Sequence, residues 1–194
     1  MLDELTGPHP KWRGGALVDP SRIGMAGHSV GGASAIDAMV TDPRIRAGID
    51  IDGTTDDPLL APGLDRPFLF LGRQNMYTPG TGVESGTWER DWAQLHGWKR
   101  WLVVAGMEHP SFTDIGLVGE QLGLDFGATT PAARGADVTR TYVRAFFDRH
   151  LRHVPQPLLG PPLGNLPVLV TVGRHRPVRH VLVAGSRPVP LGCG

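Results

Sequence analysis

Short runs of apolar residues recur along the chain, and polar or glycine-containing segments separate them. Each run is continuous rather than alternating, which is typical of strands that are buried on both faces of a parallel sheet. The strands predicted in this way cover residues 23–26, 47–51, 68–72 and 101–105. Helices are predicted between and after them, so the pattern indicates an α/β protein with helices on both faces of the sheet.

Apolar residues at helical spacing predict the helices. They cover residues 33–40, 87–96 and 138–151, and a short helix is also expected to end near residue 6. Trp88, Trp92 and Leu95 share one face of the second of these helices, and we interpret this aromatic face as core packing. The segment between the strand at 101–105 and the last helix is predicted as a loop.

A glycine-rich turn joins the first predicted strand to the first predicted helix. It contains the G-x-S-x-G pentapeptide Gly27-His28-Ser29-Val30-Gly31. A strand, this pentapeptide and a helix, in that order, are the setting of the nucleophilic serine in an α/β-hydrolase. We expect Gly27 and Gly31 to remove Cβ atoms that would clash across the sharp turn. The helix N-terminus directs N–H groups towards developing negative charge, so we predict that Ser29 is the nucleophile.

A serine nucleophile needs a base, and His109 is the best-placed histidine. It follows the predicted strand at 101–105 after a glycine, and parallel sheets hold their ligands at that end of the strands. The chain order serine, acid, histidine also fits the fold. The other seven histidines precede the serine, lie in the turn or on predicted helices, or come late in the chain.

Several carboxylates are candidates for the acid that orients this histidine. Asp52 follows the predicted strand at 47–51, from which its carboxylate would reach His109, and it is the preferred candidate because no carboxylate directly follows the next predicted strand. Other candidates lie deeper in that strand, further along the next loop or beyond the following strand: Asp50, Asp56, Asp57 and Glu84. An Asp-Gly pair at a strand end is also a common turn former, so a purely structural role for Asp52 stays open.

A few apolar residues near these positions are candidates to line a substrate pocket. Phe112 and Ile115 lie close to His109 in the sequence, and Met76 and Tyr77 follow the end of a predicted strand. Core packing is an equally good interpretation of them. The sequence shows no cluster with metal-ligand spacing and no dinucleotide-type glycine pattern after a strand. We therefore predict neither a metal nor a cofactor.

Three stretches of the sequence resemble the plasma-type (isoform II) platelet-activating factor acetylhydrolases and their bacterial relatives. They are GHSVGGA from residue 27, DPRIRAGIDIDG from residue 42 and GMEHPSFTD from residue 106. The last stretch contains the signature H-x-x-F-x-D, formed by His109, Phe112 and Asp114. The similarity runs from about residue 19 to residue 159 and corresponds to the carboxyl-terminal half of such an enzyme.

The resemblance implies a calcium-independent serine esterase that acts on phospholipids with short or oxidised sn-2 acyl chains. It assigns the nucleophile to Ser29, the acid to Asp52 and the base to His109, and it implies that the Val30 N–H contributes to an oxyanion hole. It also implies an α/β-hydrolase whose mostly parallel sheet is truncated to about four strands within residues 1–159. The alternatives are a lipase or cutinase-type carboxylesterase with the same triad, and an inactive hydrolase fragment.

The final segment, residues 160–194, departs from this resemblance. It is rich in valine, arginine, proline and glycine and contains no acidic residue. One interpretation is an out-of-frame or otherwise aberrant terminus, and the other is an appended hairpin formed by residues 168–172 and 181–184. At the opposite side, the sheet should end at the strand that leads into Ser29. Such an edge is open to pairing with a second copy of the chain.

Composition restricts the partners that these predictions allow. Nineteen basic and nineteen acidic residues give a formal net charge of zero, which offers no electrostatic basis for binding nucleic acid or an anionic membrane. No apolar run approaches the roughly 18 residues of a membrane span, and the first residues lack a signal-peptide pattern. The single cysteine, Cys193, excludes an internal disulfide. The expected partner is a small-molecule or lipid ester, and the localisation stays open.

Overall fold

A sheet of six strands runs through the chain in the spatial order β1-β2-β3-β4-β5-β6. The computed structural model describes residues 2–7, 9, 12–59, 62–160, 168–171 and 179–182. The strands are β1 (Ile23–His28), β2 (Ile45–Ile51), β3 (Phe68–Arg73), β4 (Lys99–Val104), β5 (Val168–Thr171) and β6 (Arg179–Leu182). Neighbouring strands from β1 to β5 are parallel, and β6 is antiparallel to β5. The four predicted strands are therefore confirmed, with ends that differ by up to two residues.

Among the described residues, one helix precedes β1, and the others lie between β1 and β2, between β3 and β4, and between β4 and β5. The helices are α1 (Leu2–Thr6), α2 (Val30–Thr41), α3 (Gln74–Tyr77), α4 (Ser85–Trp92), α5 (Asp114–Gln121) and α6 (Ala132–His150). Short 3-10 turns occupy Arg13–Leu17, His109–Phe112 and Pro157–Leu159. Within the described ranges, no helix has both the length and the apolar character that crossing a lipid bilayer requires.

The uninterrupted apolar sequence of β3 explains why both faces of the sheet are covered. Leu69 and Leu71 point to one face, where they pack with apolar residues of α6. Phe68 and Phe70 point to the other face, where they pack with residues of α2 and α4. All four side chains are fully buried. A strand that is apolar on both sides thus requires a helical layer on each face.

Helix α5 lies in the segment that was expected to be a loop, so this prediction is wrong. The buried residues of α5 are Gly116 and Gly119, and its apolar residues Ile115 and Val118 are exposed. The two residues that α5 buries fully are therefore glycines, and this short helix adds no fully buried apolar side chain to the core. The Thr113 hydroxyl begins the helix by accepting a hydrogen bond from the Ile115 N–H.

Strands β5 and β6 form a hairpin in the final segment, as one of the two interpretations of this segment predicts. Val168 pairs with Leu182 and Thr171 with Arg179. The same hairpin extends the parallel sheet, because β5 pairs with β4 from Leu102 to Val104. Residues 172–178 and 183–184 lie outside the described residues. An aberrant terminus stays a hypothesis about the coding sequence.

Candidate active site

Ser29 occupies the sharp turn between β1 and α2. Its backbone angles, φ 59° and ψ −129°, lie in a region that residues other than glycine rarely adopt. The Ser29 N–H donates to the Ile51 carbonyl of β2 over 2.9 Å, and its carbonyl accepts from the first turn of α2. Its side chain forms no capping hydrogen bond to the helix. The main chain thus holds Ser29 at the carboxyl edge of the sheet, with a hydroxyl that helix capping does not use.

Two glycines permit this turn, and they are Gly27 and Gly32. A Cβ atom on Gly27 would overlap the main chain of Gly31, and one on Gly32 would overlap the Asp50 carboxylate. A Cβ atom on Gly31 would meet no atom within 4 Å. The expectation that Gly31 avoids a clash is therefore wrong for this structure, because Gly31 faces open space.

Asp52 and His109 share the hydrogen bond at the centre of the site. His109 Nδ1 lies 2.6 Å from Oδ2 of Asp52, and Asp52 is only 2% exposed. A carboxylate accepts hydrogen bonds, so the hydrogen-bond pattern assigns the proton to Nδ1 of His109. In the neutral imidazole, Nε2 is then an acceptor, which is the tautomer that a general base requires.

His28, the residue before Ser29, contacts His109 and so places Ser29 near the Asp52–His109 pair. The His28 Nε2 donates to the main-chain carbonyl of His109 over 2.9 Å, and the two imidazole rings are 4.2 Å apart between centroids. The structure therefore brings Ser29, Asp52 and His109 to one edge of the sheet. In the part of the chain that the structure describes, neither the Ser29 hydroxyl nor His109 Nε2 forms a hydrogen bond.

The other candidate acids do not contact His109. Asp50 is fully buried beneath the turn, where its Oδ1 accepts from the Gly53 N–H over 2.9 Å. Burial, reinforced by the charge of Asp52, raises the pKa of Asp50 well above its usual range and so favours its protonated form. The remaining candidates are exposed loop residues or precede α4: Asp56, Asp57 and Glu84.

Val30 is the first residue of α2 and is exposed. The N–H groups of a first helical turn have no partner inside the helix. They project out of the N-terminal end of the helix, next to the residue that precedes it. The Val30 N–H therefore belongs to the same edge as Ser29. Its place in an oxyanion hole stays a prediction.

Two residues that no motif in the sequence singled out, His28 and Arg73, contact the Asp52–His109 pair. Burial, together with the neighbouring His109, lowers the pKa of His28, which keeps the ring neutral at pH 7. Arg73 has its Nε 3.3 Å from Oδ2 of Asp52, and its Nη1 is 3.5 Å from the Glu108 carboxylate. Position at a strand end was the only sequence signal for either residue.

The residues proposed to line a pocket lie mainly in the core. Tyr77 is 1% exposed and stacks on Trp88 with 3.9 Å between ring centroids, so the structure places it in the core and not at a pocket wall. Met76 packs against the same apolar cluster. Phe112 is also buried, although its ring lies 6.5 Å from that of His28. Ile115 is exposed on α5.

A polar cleft of about 390 Å³ lies at the carboxyl ends of β3 and β4, beside His109. Amide, hydroxyl and carboxylate groups line most of it, and the lining contains no aromatic or basic residue. The residues that line it are Gln74, Asn75, Thr78, Thr81, Gly106, Met107 and Glu108. Glu108, which precedes His109 in the chain, is one of the residues that line this cleft.

The atoms of the site also have a metal-like grouping. One ligand-type atom from each of His28, Asp52 and His109 lies within 4.8 Å of the others. The 2.6 Å separation between His109 Nδ1 and Asp52 is that of a hydrogen bond. Metal binding at that nitrogen would require His109 to lose the proton that it donates to Asp52.

Residues 15–153 match the family model of platelet-activating factor acetylhydrolase, isoform II. The chain belongs to this family. The match includes Ser29, Asp52 and His109, and it confirms the resemblance that the sequence motifs indicate. It ends before β5, so the hairpin lies outside the family match.

Individual relatives agree with the family match. The chain is 32% identical over 170 residues to a probable 1-alkyl-2-acetylglycerophosphocholine esterase of Arthroderma benhamiae, which covers 77% of this chain and 43% of that protein. It is 28% identical over 141 residues to the platelet-activating factor acetylhydrolase of Gallus gallus, with coverages of 69% and 32%. The chain thus spans less than half the length of these relatives.

A solved structure confirms the α/β-hydrolase type of fold. The ferulic acid esterase of Streptomyces cinnamoneus superimposes with a TM-score of 0.72 and is 44% identical in sequence. The similarity covers 83% of this chain and 48% of that structure. The chain therefore has the fold of one part of an α/β-hydrolase.

Proposed function

We propose that this chain carries the catalytic centre of a serine esterase. Ser29 is the nucleophile, His109 the general base and Asp52 the acid that orients the base. The observation that carries this proposal is the 2.6 Å hydrogen bond from His109 Nδ1 to the buried Asp52, at the same sheet edge as the strained Ser29. This bond leaves Nε2 as the proton acceptor.

In the proposed reaction, Ser29 Oγ attacks the ester carbonyl carbon while His109 Nε2 takes the hydroxyl proton. The Val30 N–H and the N-terminus of α2 stabilise the negative oxygen of the tetrahedral intermediate. His109 then gives the proton to the leaving alcohol, and the acyl group stays on Ser29. A water molecule, deprotonated by the same imidazole, attacks the acyl-enzyme, releases the acid and restores Ser29.

The family and the named relatives support a phospholipid substrate with a short or oxidised acyl group at sn-2. Two of the relatives are named for an acetylhydrolase or for an esterase of a 2-acetyl glycerophosphocholine. This substrate class is our first proposal. A long-chain lipase or cutinase-type specificity is the alternative that the sequence left open.

A second candidate substrate is an ester of ferulic acid. The solved structure that is 44% identical to this chain is named a ferulic acid esterase. The two relatives of acetylhydrolase type are 32% and 28% identical to this chain. The cleft beside His109 also offers amide and hydroxyl groups without a basic residue. Such a lining suits a hydroxyl-bearing group better than a phosphate, which arginine or lysine normally binds.

A fluorophosphonate probe and p-nitrophenyl acetate test the proposed catalytic centre. We expect the probe to modify Ser29, as located by mass spectrometry, and we expect turnover of the acetate. S29A should lose both, with kcat reduced by about 10⁴–10⁶, and D52N should reduce kcat by about 10⁴ because the imidazole adopts the wrong tautomer. S34A is the matched control, because Ser34 lies on α2 and bonds only to the Val30 carbonyl.

Three outcomes separate the alternatives. Turnover that disappears in S29A and persists in S34A supports the esterase. Labelling of Ser29 without turnover indicates an inactive fragment, and the absence of labelling contradicts the proposal. Rates with 2-acetyl phosphocholine lipid, methyl ferulate and a long-chain triglyceride then distinguish the substrate classes.

A further inference from the structure

Arg73, the last residue of β3, contacts both oxygens of the Asp52 carboxylate. Its main-chain N–H donates to Oδ1 over 2.8 Å. Its side-chain Nε lies 3.3 Å from Oδ2, the oxygen that also accepts from His109. The Arg73 side chain is 19% exposed, and the Asp52 side chain is fully buried. The guanidinium therefore acts on Asp52 in surroundings that screen charge weakly.

The geometry indicates that charge dominates this contact. The Arg73 Nε is buried and has no hydrogen-bond partner in the described structure, so the 3.3 Å contact lacks hydrogen-bond alignment. A buried donor without an acceptor is unfavourable. A buried carboxylate without a nearby cation is also unfavourable. The arrangement is explained if the positive charge of Arg73 offsets the negative charge of Asp52.

Arg73 also connects the acid to the loop that carries the base. Its Nη1 is 3.5 Å from the carboxylate of Glu108, the residue before His109. That carboxylate in turn accepts a 3.4 Å hydrogen bond from the Asn75 side chain. The side chain of Arg73 thus lies between Asp52, at the end of β2, and the loop after β4.

We infer that Arg73 is a positioning residue for the esterase reaction, which holds Asp52 aligned on His109 and, as the cation beside the pair, opposes protonation of the imidazole. This inference rests on the proposed function. Arg73 acts through Asp52 and is not assigned a contact with the substrate. A side chain of the same length without charge would fill the space but would supply neither effect.

The charged and titratable groups around His109 come from four elements. Asp52 approaches from β2, His28 from β1 and Arg73 from β3, and Glu108 precedes His109 in its own loop. Among these described neighbours, Arg73 is the one permanent cation. Its Nε and His109 Nδ1 both contact Oδ2 of Asp52, so the two nitrogens are at most about 6 Å apart. Removal of this cation favours the protonated imidazole, in which the base is inactive.

The test compares R73M and R73K with the wild-type chain. R66M is the matched control, because Arg66 precedes the same strand at its opposite end and bonds main-chain carbonyls, including that of Ile45. Two quantities are measured between about pH 5 and pH 9. One is the rate at which the fluorophosphonate probe labels Ser29. The other is the NMR titration midpoint of the His109 ring, recorded without any substrate.

We expect R73M to slow labelling at neutral pH by about 10- to 100-fold, because the base is poorly aligned. The midpoint of the acid limb and the NMR midpoint should both move to higher pH by about 0.5–2 units. R73K should restore the midpoints, since it restores the charge, and only part of the rate, since it lacks the planar guanidinium. R66M should leave both midpoints unchanged.

Unchanged midpoints in a folded R73M would overturn the inference, and so would a slower rate that is equal at every pH. If R73M does not fold, R73K and R73Q are compared by the same NMR titration, and equal midpoints overturn the inference. An unlabelled wild-type chain would contradict the proposed function itself. The NMR midpoints would still report whether Arg73 controls the protonation of His109, so the two failures are distinguishable.

Discussion

At the residue scale, the site is built on two strained backbone positions at the ends of adjacent strands. Ser29 has φ 59° and Asp52 has φ 54°, and in the described residues the only other non-glycine residue with positive φ is His153. Each such position costs about 1–3 kcal/mol. The parallel ladder holds both, because the Ser29 N–H donates to Ile51 and the Asp52 N–H donates to Leu71, each over 2.9 Å. The ends of the strands thus fix Ser29 and Asp52 together.

Gly31 and Gly32 provide a matched test of the turn, because they are adjacent and have opposite surroundings. G32A would drive a Cβ atom into the Asp50 carboxylate, so we expect a loss of about 1–3 kcal/mol in the free energy of unfolding and slower labelling of Ser29. G31A meets open space and should gain up to about 1 kcal/mol from its helix propensity. Urea unfolding of the two variants measures both values, and equal effects would contradict this account.

At the scale of elements, helix α6 carries one row of inward residues that ends in a histidine. Val138, Tyr142 and Phe146 form this row at intervals of four residues, and His150 continues it. The His150 ring lies 4.4 Å from that of Trp98 and 4.8 Å from that of Phe146, and its Nε2 is buried without a hydrogen-bond partner. Burial and the neighbouring Arg149 and His153 lower the pKa of His150 to about 4.

This lowered pKa predicts an acid-sensitive helix. The unfolded chain binds a proton at His150 near pH 6.5, and the folded chain resists it until about pH 4. The unfolded state therefore holds more protons in this window, and stability falls as the pH drops below about 6.5. Above that pH, His150 is neutral in both states, so its titration does not change the free energy of unfolding.

H150F tests the prediction, because phenylalanine keeps an aromatic ring in the row and does not titrate. We expect H150F to gain about 1–2 kcal/mol more at about pH 5 than at about pH 8, an estimate reduced for the partial exposure of the ring. Urea unfolding at the two pH values measures the difference. The same change in unfolding free energy at both would refute a role for His150 titration.

At the scale of the whole molecule, the sheet has two different ends. The hairpin β5–β6 closes one end with an antiparallel strand, whereas β1, which leads into Ser29, has among the described strands a neighbour only on the β2 side. Gly24 and Ala26 of β1 are exposed. Parallel strands are normally paired on both sides and covered on both faces. This open edge is the basis for the prediction that β1 pairs with a second copy of the chain.

A lysine on β1 tests whether copies of the chain pair through this edge. We expect the purified chain to self-associate as its concentration rises, and we expect A26K to shift it towards monomer, because an edge lysine opposes strand pairing. V40K is the control, since Val40 is an exposed position on α2 that receives the same charge. Light scattering after size-exclusion chromatography measures the mass. Equal mass distributions for A26K and the wild type would exclude pairing through β1.

The features that the sequence determined by itself depend on residues that are close together along the chain. Continuous apolar runs located the first four strands, and the glycine-rich turn located Ser29, because backbone geometry and burial on two faces leave local patterns. Local pattern did not reveal α5, whose buried residues are Gly116 and Gly119 and whose apolar residues Ile115 and Val118 are exposed. The sequence pattern also indicated a close contact at Gly31, whereas the structure has the close contact at Gly32.

The tertiary structure alone decided which side chains meet. Position at the strand end favoured Asp52 over the deeper Asp50 from the residues alone, and the family resemblance named the same residue. The register that pairs Ile51 with Leu71 brings Asp52 beside Arg73, and the loop after β4 folds His109 onto its carboxylate. Strand-end positions predicted the contact between Asp52 and His109, whereas the contact between Asp52 and Arg73 was not predicted. Hydrogen bonds between residues far apart in the chain depend on how strands and loops pack, which no short stretch of sequence encodes.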